Sequence, residues 1–163
     1  EAGLVGLIAG YDSNEVLEIA PEARRHSIPT LVPLATAAEI FTGNPFVFRN
    51  AFTGREEARA LAGYAWYWRK LLRIAVLTDA GPQGGYSREL GREAVRSFTA
   101  LGGTVVRAAE IQPDDPNLET ELRSVLAAAP QGILIPFETS QAALLVKQLR
   151  QLGYQGLLLG GDS

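Results

Sequence analysis

The chain has 163 residues, of which 47% are hydrophobic, and a formal net charge of −3 at pH 7. This charge gives no electrostatic reason to expect binding to nucleic acid or to an anionic membrane, and no apolar run approaches the roughly 20 residues of a membrane-spanning helix. The absence of cysteine excludes disulfides and thiolate metal sites.

Five short apolar runs each end in a small polar cluster. They are residues 4–9, 30–32, 74–77, 133–135 and 157–159. Amphipathic helix patterns alternate with these runs, which predicts an α/β fold with parallel strands. Because parallel strands all end at the same edge of a sheet, the polar clusters are expected to gather where such sheets bind ligands. The sequence therefore predicts a binding site at that edge.

The spacing of apolar residues predicts five helices. Ser13 is expected to cap the first helix, and the second begins at Thr53 with a buried face that reaches Leu72. The third helix ends at Gly102, as glycine allows the backbone turn that stops a helix. Asp115, followed by proline, is expected to cap the fourth. The fifth lies between the last two strands.

The predicted elements divide the chain into two parts. Residues 51–163 hold four helices in alternation with four strands, the three runs from 74–77 onward and a further strand predicted from Val105 to about Ile111, enough for a second α/β lobe. Residues 1–50 hold one strand–helix–strand unit and a short crossover strand, and one helix cannot cover both faces of a sheet. We therefore expect residues 1–50 to be part of a larger first lobe.

The sequence contains no complete set of catalytic residues. The single histidine, His26, follows two arginines at a solvated helix end. Gly81, Gly84 and Gly85 lack the spacing of a dinucleotide-binding loop. Asp79 ends a strand, but a phospho-acceptor also requires an acidic pair on the first strand of the lobe and a later lysine, and residues 73–76 offer no such pair. We predict a non-enzymatic protein with no cofactor; a small-molecule enzyme of doubly wound fold is the disfavoured alternative.

Several segments form an ordered set that goes beyond ordinary α/β construction. They are residues 7–10 with Ser13, 28–36, 44–49 (NPFVFR), 74–86 and 149–162. In this order and spacing they resemble the type I periplasmic solute-binding proteins, in particular the leucine/isoleucine/valine-binding branch that serves ABC transporters. The likeness spans essentially the whole chain, which would be less than half of such a protein.

This resemblance implies the type I periplasmic-binding-protein fold, with doubly wound parallel sheets in two lobes, the first incomplete and the second mostly present. Such proteins close on a small polar solute, often an amino acid, and are recognised by an ABC transporter permease. The resemblance implies a location in the periplasm or on the outer cell surface, as a secreted protein or lipoprotein. A ligand-sensing domain of a receptor or regulator with the same fold is the alternative.

Three ligand-binding residues are implied in the first lobe. Ser13 matches the serine after the first-lobe turn, and Ala35 and Thr36 match the residues that hold the α-carboxylate and amino group of an amino acid. The residues themselves leave alternatives open, since Ser13 also suits a helix cap and Thr36 a loop threonine bonded to its own backbone.

Three further ligand-binding residues are implied in the second lobe. Tyr86 matches the aromatic residue that faces the ligand, and Asp162 matches an acidic residue for the ligand ammonium. Glu138, or its neighbour Phe137, matches a further cleft position. Packing on its own helix remains the alternative for Tyr86, and a turn-forming aspartate after two glycines the alternative for Asp162.

Two departures from the family pattern bear on the ligand. Tyr11 and Asp12 replace a small or apolar pair after Gly10, which places a carboxylate beside the expected carboxylate pocket. The turn at residues 79–86 is longer and richer in glycine than in the family. A ligand without a simple α-carboxylate is therefore an alternative to an amino acid.

Overall fold

A computed structural model describes residues 3–36, 41 and 43–162, and divides the chain into two compact units, residues 1–54 and 55–163. In the first unit, strands β1 (Leu7–Ile8), β2 (Thr30–Val32) and β3 (Val47–Arg49) pair in parallel in the order β1-β2-β3, and helix α1 (Ser13–His26) connects β1 to β2. The apolar residues of α1 pack on the sheet. The buried cluster consists of Val16, Ala20, Ala23, Val32, Ala35 and Val47.

The turn between β1 and α1 depends on a glycine and an aspartate. Gly10 has a φ of 95°, and a Cβ there would overlap the Val16 side chain. The prediction that Ser13 caps α1 is wrong, because Asp12 precedes the helix and its Oδ1 accepts a hydrogen bond of 2.9 Å from the Glu15 N–H. Ser13 is instead the first helical residue, and its side chain is buried.

In the second unit, helix and strand alternate from end to end. The elements are α2 (Gly54–Gly63, beginning at the boundary between the units), a π-helical turn (Tyr64–Trp68), β4 (Arg73–Asp79), α3 (Gly85–Ala100), β5 (Thr104–Ile111), α4 (Leu118–Ala127), β6 (Gly132–Leu134), α5 (Thr139–Gln151) and β7 (Leu157–Leu159). All pairings are parallel, in the order β5-β4-β6-β7. The strand order reverses at β4, because the chain goes from β4 to β5 and then returns to β6 on the other side.

The central strand β4 has its apolar side chains divided between two cores. Ile74 and Val76 pack with α2 and α3, whereas Ala75 and Leu77 pack with α4 and α5. Successive side chains of a strand point to opposite faces, so the helices cover both faces of this sheet. This is the doubly wound arrangement that the alternation of elements predicts.

Two local predictions in this unit are wrong. Leu72 is 58% exposed, because α2 ends in the π-helical turn and the chain then leaves the helix through Lys70, whose φ is 54°. Asp115 does not cap α4, which begins at Leu118. The Asp115 carboxylate instead accepts a hydrogen bond of 2.7 Å from the Asn117 N–H and so closes a turn before the helix.

In the described part of the chain, no helix is long and apolar enough to cross a membrane.

Gly91 provides a test of how closely α3 packs on β4. A Cβ at Gly91 would overlap Thr78 Cγ2, whereas a Cβ at Gly63, also helical, would find only Tyr67 Cδ2 at 3.9 Å. Alanine at position 63 should raise the free energy of unfolding by about 0.5–1 kcal/mol, since alanine is the better helix former. Alanine at position 91 should lower it by about 1–3 kcal/mol, since the helix must move away from the strand.

Urea unfolding of the full-length protein at 25 °C measures both changes. The two substitutions are matched, because each replaces a helical glycine by alanine and so adds one methyl group and restricts the backbone of the unfolded chain equally. Equal effects of Gly63→Ala and Gly91→Ala on stability would contradict the close packing of α3 against β4.

Candidate functional site

The predicted residues of the first unit lie at the carboxyl edge of its sheet. Ser13 follows the turn after β1, while Ala35 and Thr36 follow β2, and all three are buried. The loop after β2 is fixed through its main chain, because the Thr36 carbonyl accepts hydrogen bonds from the Gly54 N–H at 3.1 Å and from Arg49 Nη1 at 3.0 Å. Neighbouring parallel strands thus bring these residues to one edge.

In the second unit, the structure brings Tyr86 and Asp162 together. The Asp162 N–H donates a hydrogen bond of 3.0 Å to the Tyr86 hydroxyl oxygen, and the Tyr86 hydroxyl donates one of 3.3 Å to Glu57 Oε1. Tyr86 lies on α3, Glu57 on α2, and Asp162 follows β7. We call these residues the Glu57–Tyr86–Asp162 cluster; it links three elements at the carboxyl edge of the second sheet.

The side chains of this cluster differ in exposure. Tyr86 and Glu57 are each 9% exposed, whereas Asp162 is exposed. A side chain at Gly161 would overlap the Tyr86 hydroxyl, so a glycine is needed where the main chain crosses the tyrosine. The ring of Tyr86 belongs to the apolar core, and only its hydroxyl takes part in the polar edge.

Burial changes the protonation of the cluster. It raises the pKa of Glu57 from 4.5 to about 7, with a further rise from the negative charge of Asp162. Burial, and then the charge of Glu57, also raise the pKa of Tyr86 far above its usual value. Glu57 Oε2 is buried and has no hydrogen-bond partner among the described residues. The cluster therefore combines a neutral hydroxyl with two carboxyl groups, a combination suited to a hydrogen-bond donor or a cation.

The structure distinguishes between Glu138 and Phe137. Phe137 is 2% exposed and belongs to the core beneath α4 and α5, while Glu138 is exposed and immediately precedes α5. The side chain with an accessible surface at this position is therefore Glu138.

The glycine-rich turn after β4 has a defined structure. The buried Asp79 accepts the Gly81 N–H at 2.7 Å, and Arg88 Nη1 donates to the carbonyl oxygens of Asp79 at 2.7 Å and Gly81 at 2.9 Å. A Cβ at Gly84 would overlap the Asp79 carbonyl oxygen. Asp79 and Arg88 thus hold the turn in place.

A cavity of about 420 Å³ adjoins this turn. It lies between the turn, the segment after β5 and the start of α5, and its polar lining includes Gln83, Gln112, Ser140 and Gln141. Binding sites for small molecules have volumes of this order. Among the described residues, no group of three or more His, Cys, Asp or Glu side chains could hold a metal ion.

Sequence reasoning missed Glu57. The residue lies on the same helix as the buried Ala58 and Ala62, and an acidic residue this close to an apolar helix face was the one available signal. Its partner Tyr86 is 29 residues away along the chain, and no local pattern connects the two.

Comparison with known proteins agrees with this fold. The model of the periplasmic binding protein family matches residues 1–162. Leu/Ile/Val-binding protein homolog 3 of Brucella melitensis is 24% identical over 160 residues, which cover 98% of this chain and 42% of that protein.

Solved structures show the same likeness. The leucine-binding protein LivK of Thermotoga maritima has a TM-score of 0.87 and 29% identity, and the match covers 96% of this chain and 44% of LivK. A solute-binding protein of an ABC transporter from R. palustris, in complex with benzoate, has a TM-score of 0.79 and 25% identity over 96% of this chain and 43% of that one. The chain thus spans less than half the length of these relatives.

The predicted α/β fold of type I is confirmed by these structures and by the two parallel sheets. The family model extends over nearly the whole chain, and LivK and the Brucella homolog both bear names of the leucine/isoleucine/valine-binding group. The chain belongs to the periplasmic binding protein family, in the leucine/isoleucine/valine-binding branch of its type I proteins.

Proposed function

We propose that the protein containing this chain captures a small polar solute outside the cytoplasm and delivers it, chemically unchanged, to an ABC transporter permease. The main observation in support is the Glu57–Tyr86–Asp162 cluster, which places an exposed carboxylate at the carboxyl edge of the second sheet. The family supports a periplasmic or cell-surface location, as a secreted protein or lipoprotein. The similar proteins described above are binding proteins, which supports a role without catalysis.

The names of the relatives suggest two classes of ligand. LivK is a leucine-binding protein, and the R. palustris protein was solved with benzoate. Both ligands carry a carboxylate, but only leucine carries an ammonium group. The exposed carboxylate of Asp162 lies beside the Tyr86 hydroxyl, and a cation bound there would form charge-assisted hydrogen bonds. An amino acid is therefore the favoured ligand, and an aromatic acid is the second candidate.

Each predicted site residue has a role in this proposal. Tyr86, Asp162 and Glu138 serve the amino end of the ligand from the second lobe, residues 51–163. Ser13, Ala35 and Thr36 serve its carboxylate from the part of the first lobe within residues 1–50. Closure of the two lobes on the solute would create the form that the permease recognises.

Asp162→Asn tests the contact with the ammonium group. In the full-length protein this variant should bind L-leucine about 10–100-fold more weakly, because a neutral amide replaces the carboxylate in a charge-assisted hydrogen bond. Its affinity for benzoate should not change, because benzoate has no ammonium group. Isothermal titration calorimetry with both compounds measures the effects.

Glu119→Gln is the matched control, since it also removes one negative charge, in an exposed pair with Arg123 on α4. It should bind leucine with the affinity of the parent protein. Unchanged leucine affinity in Asp162→Asn would contradict the role of Asp162. Failure of the parent protein to bind either compound would contradict both ligand classes.

Thr36 offers a separate test of the carboxylate contact. Thr36→Val keeps the shape of the side chain and removes its hydroxyl, so leucine and benzoate should both bind about tenfold more weakly. Thr36→Ser keeps the hydroxyl and should bind both ligands nearly as the parent protein does. Equal affinities of the valine and serine variants, measured by calorimetry, would show that the hydroxyl does not hold the ligand.

A further inference from the structure

Glu57 has an unusual position for an acidic residue. It is 9% exposed on helix α2. Its Oε1 accepts a hydrogen bond from the Tyr86 hydroxyl, and its Oε2 has no hydrogen-bond partner among the described residues. The resemblance to the solute-binding family assigns no role to this position. The three elements that meet here are α2, α3 and the segment after β7.

We propose that Glu57 is a positioning residue of the ligand site: its carboxyl group holds the Tyr86 hydroxyl and, through that hydroxyl, the main chain at Asp162. This inference rests on the proposed function, because Tyr86 and Asp162 are the residues that would meet the solute. Glu57 itself need not touch the ligand.

The direction of the hydrogen bonds supports a chain of dependence. A tyrosine hydroxyl has one proton to donate and an oxygen that accepts. The Tyr86 hydroxyl donates its hydrogen bond to Glu57 Oε1. Its oxygen is thereby oriented to accept the hydrogen bond from the Asp162 N–H. If the Glu57 acceptor is lost, the hydroxyl can rotate and the bond to Asp162 weakens.

The segment before Asp162 needs such an anchor. Gly160 and Gly161 follow β7, and two consecutive glycines have the greatest backbone freedom of any pair. Neither has a side chain that could pack, and the space beside Gly161 is filled by the Tyr86 hydroxyl. The hydrogen bond from the Asp162 N–H to Tyr86 is therefore well placed to limit the freedom of this segment.

The protonation of Glu57 gives a signal that can be followed without a ligand. Its pKa is raised to about 7, and the titratable groups that act on it are Tyr86 on α3 and Asp162 after β7. Arg55, on the same helix, lies 3.7 Å from Glu93 of α3. Above pH 7 the ionised Glu57 is a stronger acceptor for Tyr86 and repels the Asp162 carboxylate, so the environment of the Asp162 N–H should change with pH.

Stability should change in the same range. The folded protein keeps the Glu57 proton between pH 4.5 and about 7, whereas the unfolded chain has lost it. The free energy of unfolding should therefore fall as the pH rises through this window and become level above it. Glu57→Gln should remove this part of the pH dependence.

The first experiment records the amide resonance of Asp162 by NMR in the full-length protein between pH 5 and 8.5. In the parent protein its chemical shift should titrate with a midpoint near 7, and in Glu57→Gln it should not. The glutamine keeps an oxygen acceptor, so protection of the Asp162 N–H from hydrogen exchange should persist. In Glu57→Ala, protection should fall about tenfold or more.

Glu119→Gln again serves as the control and should retain the midpoint. Two results would overturn the proposal: an Asp162 resonance in the parent protein that does not titrate near pH 7, or equal protection in the alanine, glutamine and parent proteins. If Glu57→Ala does not fold, the parent and Glu57→Gln titrations still decide between the outcomes.

The second experiment measures L-leucine binding by calorimetry in Glu57→Ala, Tyr86→Phe and the double variant. If Glu57 acts through Tyr86, each single variant should bind about tenfold more weakly and the double variant no worse than the weaker single one. Additive losses would show that Glu57 acts independently of Tyr86 and would overturn the proposal. If the parent protein binds neither leucine nor benzoate, the proposed function fails, while the amide titration still tests the role of Glu57.

Discussion

The central constraint in the second unit is the pairing of β4 with a parallel neighbour on each side. All of β4 after Arg73 is buried, because β5 and β6 cover its edges and helices cover both its faces. Such a strand can place polar side chains only at its end. Its last residue, Asp79, begins the glycine-rich turn, and the polar groups of the neighbouring strands collect at the same edge. The location of the candidate site thus follows from the geometry of the sheet.

Within this edge, each polar side chain depends on the element that carries it. Tyr86 is fixed by the packing of its ring in the core with Leu90, so that its hydroxyl meets Glu57 and the Asp162 N–H. Asp162 follows two glycines and depends on its main-chain hydrogen bond to that hydroxyl. Helix α3 therefore positions a segment outside the regular elements, which a binding site needs when its charged residue lies in such a segment.

Much of the fold could be predicted from the sequence, because apolar periodicity records which faces are buried. The alternation of runs such as residues 74–77 with amphipathic helices predicted the parallel sheet of the second unit. Helix ends were less predictable, because Asp12 and Ser13 are both good cap residues. The spacing from Asp12 to Glu15 is that of an acidic residue at the third helical position, and Glu15 Oε2 accepts the Tyr11 N–H at 2.7 Å.

The errors at Leu72 and Asp115 have physical causes that periodicity does not record. A π-helical turn shifts the helical phase before Leu72, and an aspartate that bonds the N–H two residues ahead delays the helix after Asp115. Of the candidate site, the pairing of Tyr86 with Asp162 was approachable through the family resemblance. Glu57 was not, because its role depends on a contact between distant parts of the chain.

The energetic balance at Glu57 gives a reason to assign it a role beyond folding. Burial, together with the charge of Asp162, raises the pKa of Glu57, so ionised Glu57 makes the folded protein less stable above pH 7 than it is at lower pH. A glutamine would accept the same hydrogen bond from Tyr86 without this cost, so the hydrogen bond alone does not explain an acid at this position. What an acid adds is charge beside Asp162. If the proposed site takes a cation beside Asp162, that charge would be neutralised on binding, and ligand binding would offset the cost of ionising Glu57.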